Sequence, residues 1–142
     1  MDNEWVTILP AEFFNQVISA KDLNPLALEA LRKYPNILSS RLIIMPLICK
    51  SQFSLYAVSN PMGIVNSDQL SRGVPFMMNL HPGSEATRPR VKDTSRRLRL
   101  FLNRLANFDT KLGVTNKPFT SLNMKMLEPR GKSRRRWLFP FT

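Results

Sequence analysis

Cysteine and histidine are almost missing from this chain of 142 residues, which holds one of each, Cys49 and His81. One cysteine cannot close an internal disulfide, and one cysteine with one histidine cannot supply the ligands of a zinc site, so no metal centre is expected and a reducing compartment fits. No cofactor-binding motif is present, and no cofactor is expected. Long apolar runs are absent too. The longest, Leu42 to Cys49, is interrupted by Pro46 and falls far short of the roughly 20 residues a membrane-spanning helix needs. Asp2 and Glu4 stand at the N-terminus where a secretory leader would be basic and then apolar, so an intracellular address, nucleus or cytoplasm, is the expectation.

Acidic residues are scarce in one half only. Residues 1–87 carry six Lys/Arg against seven Asp/Glu, whereas residues 88–142 carry fifteen against three, a net charge of +12. Such asymmetry suggests an acidic partner for the second half, either nucleic acid or an acidic protein surface. Apart from that imbalance the composition is that of a globular domain, with 43% apolar and 22% charged residues. The length suits a single domain, expected over residues 1–120 and followed by a basic segment, 121–142, that ends apolar.

Local patterns give an α+β order. Pro10 opens a helix over about 10–19 with Phe13, Phe14, Val17 and Ile18 on one face. Asn24-Pro25 opens a second, about 25–34, with Leu28 and Leu31 on its apolar side and Tyr34-Pro35 as its stop. Arg41 to Cys49 is rich in β-branched residues and reads as a buried strand; Ser51 to Ser59 reads as its neighbour. Asn60-Pro61-Met62-Gly63 carries turn chemistry that predicts a third, returning strand over Gly63–Ser67. Residues 71–90 hold five glycines and prolines and read mostly as loop. Asp93 then caps a helix, about 94–108, in which Leu98, Phe101, Leu102 and Leu105 share one stripe. The expected architecture is a small central sheet of three or more strands flanked by helices.

Ile44-Met45-Pro46-Leu47, a five-residue gap, Phe53-Ser54-Leu55-Tyr56-Ala57-Val58, a turn and then Asp68-Gln69-Leu70 form a pattern. It resembles that of the SUMO proteases, the sentrin-specific, ubiquitin-like-protein proteases. In that family a strand ending in proline leads to a His-Trp pair opening the next strand, and a third strand ends in Asp-Ser-Leu. The resemblance spans about residues 37–108 and implies an incomplete, papain-like α+β protease domain. It also implies the partners of such a domain, a ubiquitin-like modifier or a SUMO-conjugated protein.

The family's chemistry uses His, Asp, Gln and Cys in that order. A thiol nucleophile must be activated by an imidazole, which a third polar group orients. By this resemblance Gln52 stands at the histidine position, Phe53 at the tryptophan and Asp68 at the acid. An amide takes no proton near neutral pH, so Gln52 cannot act as general base. No glutamine follows Gln69 and no cysteine follows Cys49, so neither the oxyanion donor nor the nucleophile has a counterpart. The chain is expected to be an interrupted protease-like domain without peptidase activity of its own. A triad of Cys49, His81 and Asp68 or Asp109 has no spacing to support it, because Cys49 closes an apolar strand, where a free cysteine packs as a small hydrophobe.

The alternative is a small basic protein associated with nucleic acid. Its residues would be Arg96, Arg97, Arg99 and Arg104 on the helix, then Lys132, Arg134, Arg135 and Arg136 beside Trp137, a ring able to stack on a base. The cluster 132–136 also reads as a nuclear-localisation signal.

Overall fold

A computed structural model describes residues 5–49, 52–80 and 91–127. Five strands form one mixed sheet in sequential order: β1 (Val6–Ile8), β2 (Leu42–Cys49), β3 (Gln52–Ser59), β4 (Phe76–Leu80) and β5 (Met124–Leu127). The β1–β2 and β4–β5 pairs are parallel, whereas β2–β3 and β3–β4 are antiparallel. The helices are α1 (Ala11–Ser19), α2 (Asn24–Lys33), the single turn α3 (Met62–Val65) and α4 (Val91–Phe108). This is the expected α+β class with a sheet larger than its three-strand minimum. The sheet reaches past residue 120, because β5 pairs with β4 inside the segment expected to be a basic tail.

Alternation along the strands sorts their side chains onto two faces. Ile43, Met45 and Leu47 of β2 pair with Val58, Tyr56 and Ser54 of β3 and are buried beneath the helices. Phe14 of α1 meets Tyr56 edge-on, with ring centroids 5.5 Å apart, and Phe13 meets Phe101 of α4 at 5.9 Å. Leu98, Phe101, Leu102 and Leu105 are buried as their helical spacing predicts.

Three local expectations are corrected. Leu31 packs partly buried against the core as expected, but Leu28 is exposed, and the buried centre of the α2 face is Ala27 and Ala30 in register with Leu23; these small residues let α2 approach α4 closely. Asp93 lies in the first turn of α4, which begins two residues earlier, so it acts on the helix dipole and is not the cap. The third strand is not at Gly63–Ser67. Met62–Val65 is a helical turn, a 3-10 segment (Ser67–Arg72) follows it, and the antiparallel return is β4, inside the stretch read as loop.

Asn60 explains that displacement. It follows β3 with φ 45°, a left-handed conformation that asparagine tolerates better than most residues. Its Nδ2 donates to the carbonyls of Gln69 (2.9 Å) and Gly73 (2.6 Å), folding the excursion 61–73 onto the end of the strand. Gly63 is required beside it, since a Cβ there would lie 2.7 Å from the Pro75 ring and 2.8 Å from Asn60 Nδ2. Asn60→Ala strands two carbonyls and strains φ, and is expected to cost about 2–4 kcal/mol in urea denaturation. Asn60→Gly keeps the backbone freedom and should cost about 1 kcal/mol less than Asn60→Ala. Equal losses for the two variants would show that the conformational contribution is absent.

Candidate functional site

Cys49 and Gln52 form the last register pair of the β2–β3 hairpin, so the hairpin turn sits at the end of the sheet where β4 and β5 also finish. The two-residue period puts Ser54 and Tyr56, both buried, in one column on the helix-covered face. Asn79 of β4 pairs with Tyr56 and joins that column from the neighbouring strand. Its Nδ2 donates to Ser54 Oγ at 2.8 Å and, more weakly, to the Leu55 carbonyl at 3.4 Å. Asn79 is fully buried, and its Oδ1 has no hydrogen-bond partner among the described residues. An unpaired buried carbonyl costs about 1–3 kcal/mol, so this amide is held there at a penalty. Asn15 of α1 reaches the same end and donates to the Ile48 carbonyl at 3.4 Å.

Asp68, the residue matched to the family's acid, is elsewhere. It is exposed in the 3-10 segment beyond Ser59, and its backbone N–H donates to Asn66 Oδ1. Gln52 and Ser59 terminate opposite ends of an eight-residue strand, roughly 23 Å apart at about 3.3 Å per residue. The structure therefore brings Asp68 to the wrong end of β3 for any work with position 52. The cause is the excursion held by Asn60, which interposes a helical turn where a direct hairpin was expected. Asp109 follows α4 and is committed to the turn there, its Oδ1 accepting from the Lys111 N–H at 3.1 Å. His81 lies outside the described residues.

Sequence reasoning missed Asn79 and Ser54. Asn79 sits in a stretch whose breakers, Gly73, Pro75, Pro82 and Gly83, hid a strand. The signal was the run Phe76-Met77-Met78, apolar enough for a strand yet shorter than the usual window.

The helix arginines divide by role. Arg97 donates from Nε and Nη2 to the Val17 carbonyl (3.3 and 3.1 Å), and Nη2 also donates to the Ala20 carbonyl, so it satisfies the C-terminus of α1. Arg99 Nε donates to the Leu122 carbonyl at 2.8 Å and fixes the approach to β5. Neither guanidinium is free for phosphate. Arg96 is exposed and Arg104 half-buried; Lys132, Arg134, Arg135, Arg136 and Trp137 lie outside the described residues. The nucleic-acid alternative thus loses two of its four helix cations to structural work, and nothing among the described residues favours it. Among those residues, no helix is long and apolar enough to cross a membrane.

Sheet order, the parallel edge strands and the helices packed on one face together define an α+β protease-like fold of the SUMO-protease type. Two solved structures share it at a TM-score of 0.57. One is a de-sumoylating protease, 17% identical, with 92% of this chain and 45% of that chain covered. The other is the SUMO protease Ulp1 with its catalytic cysteine oxidised to a sulfonic acid, 11% identical, with 94% and 54% covered. This chain thus spans about half the length of these proteins. No protein-family model and no curated protein matches the sequence. At such identities the likeness is one of fold.

Proposed function

We propose that this chain is a SUMO-protease-like domain that does not cleave peptide or isopeptide bonds by itself and serves as a binding module for a ubiquitin-like modifier. The observation that carries the proposal is the pair of amides at one end of this fold. Gln52 opens β3, where the family pattern has histidine, and Asn79 lies next to the last described residue of the third strand, where the pattern ends in Asp-Ser-Leu. Neither amide takes a proton near neutral pH, and a neutral Asn79 offers no charge to stabilise an imidazolium. Asn79 spends its donor on Ser54 and the β3 backbone, a structural use. Asp68 is exposed and remote from this end, so it does not replace the missing carboxylate.

Incubation of the chain with SUMO or ubiquitin carrying a C-terminal fluorophore is expected to release no more fluorophore than the Cys49→Ala variant releases. SUMO titrated into the isotopically labelled chain should shift a contiguous set of backbone amide resonances. Cys49-dependent turnover would overturn the inactivity, and an unchanged spectrum at millimolar SUMO would overturn the binding role.

A further inference from the structure

Trp5, Ser39, Arg41 and Arg72, from three separate stretches of chain, line one pocket of about 250 Å3. It lies at the end of the sheet opposite the Cys49–Gln52 turn, because Trp5 and Arg41 immediately precede the parallel strands β1 and β2. Backbone pairing fixes its walls. The Leu42 N–H donates to the Trp5 carbonyl at 3.0 Å, and the Asn60 N–H to the Arg41 carbonyl at 2.8 Å. The Asn60 side chain grips the Gln69 and Gly73 carbonyls on either side of Arg72, so the excursion 61–73 delivers that residue to the pocket. Arg72 Nη2 then donates to the Ser39 carbonyl at 3.3 Å, which occupies only part of a guanidinium with five N–H donors. The Arg41 guanidinium carbon sits 4.1 Å from the centroid of the Trp5 ring, a cation–π contact that orients the group and consumes none of its donors. Two cations thus share one concave site, and no carboxylate lines it among the described residues. The one ion pair among those residues joins Lys33 to Glu29, so even Asp68, in the same segment as Arg72, neutralises neither guanidinium. Like charges held in one pocket repel, and a bound anion removes that cost.

We infer that this pocket binds a phosphate monoester, its head held between Arg41 and Arg72 with the Ser39 hydroxyl as a further donor. Near neutral pH a monoester carries a charge of about −1.5 to −2, which matches two guanidiniums, whereas a phosphodiester or a carboxylate brings half as much. The planar donor fork of arginine suits phosphate oxygens as a lysine ammonium does not. Trp5 is 57% exposed, so part of its ring is left for whatever carries the phosphate, either a nucleoside base or the neighbour of a phosphorylated side chain. The site is independent of the modifier-binding reading, which concerns the other end of the sheet.

The test titrates inorganic phosphate into the full, isotopically labelled chain with ionic strength held at about 0.15 M. It follows the Trp5 indole N–H, assigned by its loss in Trp5→Phe, and the Nε–H groups of Arg41, Arg72 and Arg96. Saturable shifts are expected at the first three and none at Arg96. Dimethyl phosphate, a monoanion, should bind at least about tenfold more weakly. Arg72→Lys should lose about tenfold in affinity while the spectrum stays dispersed, because an ammonium cannot serve the Ser39 carbonyl and the anion together. Should that variant fail to fold, Arg41→Gln, at an exposed position, is expected to show the same loss. Adenosine monophosphate and a phosphoserine peptide then separate the two carriers: the one that binds more tightly than inorganic phosphate, with an added shift at Trp5, is the source. Shifts that grow linearly with phosphate, equal shifts at Arg96, equal affinity for dimethyl phosphate, unchanged affinity in a folded variant, or no gain from either carrier would each overturn the inference.

Discussion

Phe14→Ala is expected to lower the unfolding free energy by about 3–5 kcal/mol, the largest effect of any single substitution considered for this protein. Phe14 is fully buried between α1 and the sheet, its ring edge-on to Tyr56, and Tyr56 is itself fully buried in β3. Truncation removes the transfer free energy of a whole ring and leaves a cavity bounded by a regular sheet on one side, which cannot collapse into it. Domains of this size are stable by about 5–15 kcal/mol in total, so a large share would be lost. A drop of roughly 10–20 °C in melting temperature should follow. Leu28→Ala is the matched control. The sequence pattern of α2 puts Leu28 on its apolar side, yet the residue is exposed and its loss should stay within about 0.5 kcal/mol. Comparable losses at the two positions would contradict the packing of α1 and α2 described above.

Arg97→Ala should cost about 2–3 kcal/mol and leave polyanion retention unchanged, whereas Arg96→Ala should do the reverse of both. Three donor contacts from Arg97 end on the Val17 and Ala20 carbonyls, acceptors that the last turn of α1 cannot satisfy internally. Removing the guanidinium leaves those carbonyls short of a donor in a part-buried site and removes the polar tie between α1 and α4, leaving the Phe13–Phe101 contact, and the bonds lost are charge-assisted ones. Arg96, one residue away and exposed, has no such commitment among the described residues. Thermal melting and retention on heparin, measured on both variants, separate the roles. Weaker heparin retention for Arg97→Ala at a temperature where it remains folded would return that residue to the charged surface. Lys is a useful third variant, since a point charge cannot span both carbonyls as the planar guanidinium does.

The α+β class, the two strands of the first hairpin and three of the four helices were legible in the sequence, because each rests on a local period. Leu42–Cys49 and Gln52–Ser59 are long enough to declare themselves, and the stripe Leu98, Phe101, Leu102 and Leu105 fixes α4 without reference to anything else. The likeness to SUMO proteases was legible for the same reason, since it runs through that hairpin. The charge asymmetry was equally visible, but charge counts do not reveal which cations are engaged. Arg97 and Arg99 differ from Arg96 only in what lies opposite them, the end of α1 and the entry to β5, some 80 and 23 residues away along the chain.

Tertiary structure alone decided where the third strand falls and with it what stands at the candidate site. A five-residue strand among glycines and prolines has too little local signal to outweigh its breakers; it exists because β3 and β5 pair with it on either side. The sequence by itself determined that position 52 is an amide and that the chain has one thiol and one imidazole. Asp68 lies beyond the far end of β3 because of the excursion that Asn60 holds, whereas the place of Asn79 beside Ser54 and the apolar second face follow from the pairing of strands distant along the chain.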